Sequence, residues 1–246
     1  MNRFVFFFVC FAASVAAQAP TLEVASIKRN VGSALGIQQT LSPDRIDLIN
    51  APLDFIIRAA YQVPSYRLTG VPSWALSERF DIRAKATRPI DVPERLELLQ
   101  ALLTERFRLK ARYQIKEQPI YVLAQVANRP LGPGIRTRLG CEPPNDCSRL
   151  GGNSSPNKGV VVFPGATMNA IATILSSALE RPVHNETRMD GYYDVRLSWN
   201  PNGLNSNDSR PSLFAAVQEQ LGLKLTVEPR PVEVLVIDSV QRPTPD

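Results

Sequence analysis

The chain is poor in the residues on which catalysis and metal binding usually draw. Its 246 residues hold one histidine, His184, and three cysteines, Cys10, Cys141 and Cys147. A structural zinc site wants four ligands, and two late thiols with one imidazole argue against it; no metal and no cofactor are expected. No nucleophile elbow, H-E-x-x-H pair or phosphate-cradling glycine loop occurs. No apolar run approaches the about 20 residues needed to span a bilayer. Charge of one sign is also scarce: 28 basic residues face 23 acidic ones, an excess that gives a nucleic-acid partner little support.

What is present begins with an address. Arg3 precedes the apolar run Phe4 to Ala13, and Val15-Ala16-Ala17 follows as a small-residue cleavage pattern. That order is a secretory signal peptide over residues 1–17, so the mature chain is expected to be exported, to a periplasmic or extracellular destination. An oxidising compartment permits a disulfide between Cys141 and Cys147.

The rest is organised around a motif written twice. Phe80-Asp81-Ile82-Arg83, a leucine-rich run, Phe107-Arg108-Leu109-Lys110 and Ile120-Tyr121-Val122-Leu123 return in order as Tyr193-Asp194-Val195-Arg196, an apolar run, Leu221-Gly222-Leu223-Lys224 and Val234-Leu235-Val236-Ile237. Several anchors at a nearly constant offset make an internal repeat. The expected fold is α+β, two tandem β-α-β-α-β-β units with helices on one face of small mixed sheets. The first unit takes residues 18–126, including an N-terminal strand near Thr21 to Ile27, and the second takes 160–240. A Pro/Gly-rich linker (127–159) separates them, partly disordered, and the stretch Asn200 to Asn207 and a tail (241–246) are expected to be mobile.

Local signals place the helices. Leu53, Ile56, Ile57, Ala60 and Tyr61 form one stripe, with Asn50 as cap and Pro52 in the first turn. Met168, Ile171, Ala172, Leu175 and Leu179 form its counterpart after Thr167. Asp91-Val92-Pro93-Glu94 reads as a capping box, echoed by Ser209-Arg210-Pro211. A helix between two strands predicts a right-handed βαβ crossover in each unit. The gaps Glu117-Gln118-Pro119 and Pro229-Arg230-Pro231 predict closing hairpins.

Candidate chemistry is sparse. His184 stands where a helix ends, a place the helix dipole favours for structural reasons. Asp81 and Asp194 hold equivalent positions, which points to one local job done twice, such as pairing with Arg83 or Arg196, and away from a carboxylate pair in one cleft. Arg106 to Arg112 reads as a strand with Arg106, Arg108, Lys110 and Arg112 on one face, a grip for anionic glycans or lipid headgroups if it is more than a solvated edge. Tyr66, Trp74, Tyr192 and Trp199 lie at strand ends or in loops, where aromatics with a polar tip serve either partners or packing; Trp74, beside Gly70-Val71-Pro72-Ser73, is the strongest candidate.

Leu22-Glu23-Val24-Ala25-Ser26-Ile27-Lys28, Gly70 to Trp74, Arg79 to Ile82, Leu102 to Phe107, Gln218 to Lys224 and Pro231 to Asp238 together resemble an uncharacterised secreted "soil-associated" family of acidobacteria. That resemblance carries no established activity; relatives joined to membrane-embedded sensor peptidases imply a sensing or docking module. Each unit is also similar to the short N-terminal domain of secretins and TonB-dependent receptors, which docks other proteins, a likeness at the level of fold. The expectation is therefore a non-enzymatic binding, docking or sensing module with an envelope protein or glycan as partner. Capture of anionic or carbohydrate ligands by the basic face is one alternative, and hydrolysis of an envelope polymer through His184 is another.

Overall fold

The computed structural model describes residues 21–32, 36–141, 152–201 and 208–243. The expected signal peptide and Cys147 lie outside them. The fold is α+β. In chain order it runs β1 (Leu22–Asn30), β2 (Gln38–Ser42), β3 (Arg45–Pro52), α1 (Leu53–Tyr61), β4 (Leu68–Thr69), α2 (Ser73–Ser77), β5 (Arg79–Ala86) and α3 (Val92–Arg106). It continues with β6 (Lys110–Gln125), β7 (Ile135–Arg138), β8 (Asn153–Ser155), β9 (Val160–Ala166), α4 (Met168–Leu179), β10 (Val183–Asn185), β11 (Tyr192–Ser198), α5 (Leu213–Ala216) and β12 (Leu223–Ser239).

Two compact units result. One comprises residues 1–61, 72–109 and 240–246, the other 62–71 and 110–239. The expected linker at 127–159 falls inside the second unit and contributes two strands to it. β7 and β8 are three or four residues long and flanked by glycine and proline, too short to show a period in the sequence.

The first unit holds an antiparallel sheet of order β1-β5-β3-β2. Phe80, Ile82, Ala84 and Ala86 turn inward from β5, and α1 buries Leu53, Ile56, Ile57 and Ala60. Asp91 accepts from the Glu94 N–H at 2.9 Å and Glu94 accepts from the Asp91 N–H at 3.1 Å, so the capping box forms as read. Phe80, 1% exposed, anchors an aromatic chain, with ring centroids 6.5 Å from Trp74 and 5.3 Å from Phe107, both edge-on.

The second unit holds two sheets. A mixed ribbon sheet has the order β10-β6-β12-β4; a trailing antiparallel sheet has the order β7-β11-β9-β8. The core between helix and sheet gathers Met168, Ile171, Leu175, Tyr193, Leu197 and Trp199 with Leu213, Val217 and Leu221. The Ser176 hydroxyl, buried in α4, donates to the Ala172 carbonyl and accepts from the Val183 N–H, fastening β10 to the helix.

Several expectations are corrected. Neither closing hairpin exists: β6 and β12 are continuous, and they pair antiparallel with each other from Leu223 opposite Gln125 to Ser239 opposite Lys110. Pro119 lies opposite Pro229. The Tyr121 N–H donates outward to the Pro182 carbonyl, and the Leu123 carbonyl accepts from the Glu186 N–H. Alternate residues of that set, Pro119 included, therefore turn their backbone polar groups away from β12, where a missing N–H breaks no ladder bond. A proline that signals a turn in the sequence is thus tolerated within a strand.

The βαβ crossovers are also absent. β3 pairs antiparallel with β5, and β9 with β11, and β4 and β10, which follow α1 and α4, join the ribbon sheet instead. Arg106 ends α3 and β6 starts only at Lys110, so the expected strand over 106–112 is cut short. The Phe107 and Leu109 N–H groups both return to the Leu103 carbonyl, and Arg108 takes φ 51°. Asn50 is a bulge residue of β3 with φ 57°, not a helix cap; Ser212, not Ser209, caps α5 by accepting from the Ala215 N–H. The described part of the tail is held: the Gln241 N–H donates to the Phe107 carbonyl at 2.7 Å. Asn200 is buried and bonded to Pro211 and Asp208, while residues 202–207 lie outside the described residues.

Candidate binding surfaces

Asp81 and Asp194 perform the same local task, with partners other than Arg83 and Arg196. Asp81 Oδ1 accepts from Asn30 Nδ2 at 2.7 Å and from the Asn50 N–H at 2.9 Å. Asp194 Oδ1 accepts from Arg138 Nη1 at 2.7 Å and from the Gly165 N–H at 3.0 Å. Asn50 and Gly165 have φ 57° and 68°, each at a bulge beside the pairing with the central strand. The carboxylates pin two equivalent bulges. The Arg138 hydrogen bond holds the Asp194 carboxyl below its usual range, helped by the Gly165 N–H.

Trp74 is half-buried in α2, and its ring is already covered: the Arg242 guanidinium lies 4.8 Å from the ring centroid. Glu78 accepts from Arg242 Nη2 at 2.7 Å and Nε at 2.9 Å, with Arg29 at 3.8 Å. These groups edge a concavity of about 260 Å³ that also touches Ile27, Lys28, Phe80 and Pro243. The Arg242 hydrogen bond lowers the Glu78 pKa, and the charge of Arg29 adds to it. A depressed folded pKa stabilises above the unfolded value of about 4.3 and is lost as pH falls through the folded value. Acidification through the lowered folded value is therefore expected to release the tail, read as movement of the Trp74 indole resonance; Glu78→Gln should show the released shift already at neutral pH.

His184 lies in β10 and is exposed. It lines an open concavity of about 350 Å³ with Tyr66, Arg67, Thr173, Ser176 and Glu233. Its ring makes no hydrogen bond among the described residues. Arg67 is spent on Glu233, donating from Nε to its carbonyl at 2.6 Å and from Nη2 to Oε2 at 3.0 Å. Tyr192 opens β11 opposite Arg138, half-buried, and Trp199 belongs to the core.

The basic stripe is dispersed. Arg108 sits in a turn of one unit, whereas Lys110 and Arg112 open β6 in the other. Arg112 Nε is bonded to Asp238 Oδ1 at 3.2 Å. Two other pairs of arginines, without side-chain partners among the described residues, border concavities. Arg136 and Arg196 edge an open concavity of about 570 Å³ on the outer face of the trailing sheet. Arg45 and Arg83 edge one of about 480 Å³ on the leading sheet. Only Arg196 and Arg83 had a sequence signal, as the arginines that close the repeated Asp-containing motif.

Backbone exposure also differs between the two long strands. On β6, Ile115 and Glu117 share the outward phase of Tyr121, and no strand among the described residues pairs with them there, since β10 covers only Tyr121 to Leu123. On β12 the outward positions include Pro229 and Pro231, which have no N–H, and Glu233, whose carbonyl is taken by Arg67. One edge is blunted and the other is open.

A family model for proteins of unknown function, DUF3738, matches residues 54–240. The chain belongs to the DUF3738 family. No curated protein and no solved structure matches it. The DUF3738 match spans α1 through β12, so the ribbon sheet and the trailing sheet both lie within it. Among the described residues there is no group of three or more His, Cys, Asp and Glu side chains placed to hold a metal, and no helix is long and apolar enough to cross a membrane. Cys141 is buried and disulfide-bonded.

Proposed function

We propose that this protein is an exported binding module that accepts an extended segment of an envelope protein as an added strand along the open edge of β6. The observation that carries the reading is the contrast between the ribbon's two edges. Prolines occupy two outward positions of β12 and Arg67 takes the Glu233 carbonyl at a third, whereas Ile115 and Glu117 have no backbone partner on the outer side of β6 among the described residues. Main-chain pairing would supply affinity, and Ile115, 70% exposed, would supply an apolar contact on alternate residues.

The bonded Cys141 and the hydrophobic start of the chain support export. Matching strand orders in the leading and trailing sheets, β1-β5-β3-β2 and β7-β11-β9-β8, support a duplicated plan. A hydrolase built on His184 has weaker support, because its ring has no carboxylate or hydroxyl in hydrogen-bond contact among the described residues.

The test begins with peptides selected from a random displayed library, followed by amide hydrogen exchange on the complex. Slowed exchange at Ile115 and Glu117 is the expected result. Ile115→Pro should abolish binding without unfolding the ribbon, since the repeat places Pro229 at the corresponding position of β12. Protection confined to other surfaces, or undiminished binding by Ile115→Pro, would sink the reading.

A further inference from the structure

We propose that the outer face of the trailing sheet binds the uronic-acid units of an acidic glycan, with Arg136 and Arg196 receiving the sugar carboxylate. The starting point is that five arginines of the second unit are ion-paired: Arg67 with Glu233, Arg112 with Asp238, Arg138 with Asp194, Arg210 with Asp208, and Arg230 with Glu186 and Glu228. Arg129 and Arg188 have no ion pair among the described residues but do not line this concavity. Arg136 and Arg196 have no side-chain partner among the described residues, yet they occupy the same concavity.

Their placement follows from register. Arg136 is opposite Asp194, and Arg196 is two residues further along β11, opposite Val162 on β9. The two arginines are thus diagonal neighbours on one face, about 7–8 Å apart at their Cβ atoms. Like charges so placed repel, and the acid between them is engaged: Asp194 Oδ1 already accepts from Arg138 and Gly165. On the leading sheet Arg83 stands opposite Asp47, and Lys85, opposite Arg45, is bonded to Glu23 at 2.8 Å. An anion bridging Arg136 and Arg196 would relieve the trailing sheet's imbalance with charge-assisted hydrogen bonds.

The remaining lining selects among anions. Val162, Pro133 and Pro164 form apolar walls without side-chain hydrogen-bonding groups. A pyranose ring can lay a C–H face on them, whereas an extended peptide would leave amides unmatched there. Among the described residues Asp194 Oδ2 carries no hydrogen bond, so it is available to sugar hydroxyl donors, and the carboxyl stays ionised because Arg138 holds its pKa down. Two guanidiniums for a carboxylate, one carboxylate for hydroxyls and an apolar wall together match a sugar acid. The site is independent of the β6 edge, so either reading can fail alone.

Calorimetric titration of the full protein with tetragalacturonic acid tests it, at low and at high salt. Binding that weakens with salt is expected. Arg136→Ser with Arg196→Ser should weaken it about tenfold or more at an unchanged melting temperature, since both side chains are exposed. The uncharged tetragalactose should not bind. A parallel nuclear magnetic resonance titration of the wild type should move Arg136, Val162 and Arg196. Absence of wild-type binding, shifts confined to other residues, or full binding by the double variant overturns the site. Equal or tighter binding of a polyglutamate peptide overturns the glycan assignment.

Discussion

Gly222→Ala is expected to destabilise the second unit by about 3 kcal/mol or more, whereas Arg108→Gly is expected to stabilise the first. The two residues hold corresponding positions in the repeat, Leu221-Gly222-Leu223 and Phe107-Arg108-Leu109, and both are left-handed, with φ 70° and 51°. A side chain in that conformation costs about 1–2 kcal/mol, and Arg108 already bears that strain on an open surface. At Gly222 a Cβ would in addition meet the Pro130 carbonyl oxygen at 2.5 Å and the Gly132 nitrogen at 2.9 Å. Those are backbone atoms, so no side chain can swing aside, and the chain at 130–132 must move. Arg108→Gly removes the strain but adds the backbone entropy of glycine, so the net gain stays below about 1 kcal/mol. Urea unfolding of both variants separates the effects by sign. A Gly222→Ala protein within 1 kcal/mol of wild type would refute the close approach.

Phe80→Ala is expected to cost the first unit about 3–5 kcal/mol. Phe80 is 1% exposed, and it joins Trp74 and Phe107 in edge-on contacts at 6.5 and 5.3 Å. Truncation opens a cavity and removes two aromatic pairs worth roughly 0.5–1.5 kcal/mol each beyond their area. It should also loosen the tail, because the Phe107 carbonyl receives the Gln241 N–H and Trp74 lies against Arg242. Phe80→Leu keeps most of the volume and should cost far less, while still losing the edge-on geometry. Denaturant midpoints followed by tryptophan emission measure the first effect. Hydrogen exchange at Gln241 measures the second, and an unchanged rate there in Phe80→Ala would separate the tail from the aromatic chain.

Much of the local structure was legible in the residues. The stripe Leu53, Ile56, Ile57, Ala60 becomes the buried face of α1, the Asp91–Glu94 capping box forms as written, and Thr167 caps α4. The α+β class follows from these same periods. Each depends on groups within a few residues of one another, and such interactions are present whatever the rest of the chain does.

The candidate surfaces were less legible. Arg106, Arg108, Lys110 and Arg112 alternate with apolar residues as a strand would, but α3 runs through Arg106 and the chain turns sharply at Arg108, so only Lys110 and Arg112 lie in a strand. Trp74 stood out as an aromatic beside a Gly-Pro turn; that Arg242, far along the chain, covers it has no local signature. The uncommitted pair Arg136 and Arg196 comes together only because β7, four residues long, pairs with β11.

Composition and short-range periodicity settle the α+β class and the apolar side of the longer helices of this protein, because those outcomes depend on neighbours in the chain. Strand partnership was decided by the folded molecule. A hairpin at Pro119 and a continuous strand through it satisfy the same local preferences, and the missing N–H is harmless only once β12 lies on the opposite side. The open edge of β6, the blunted edge of β12 and the paired arginines of the trailing sheet are all consequences of that long-range pairing.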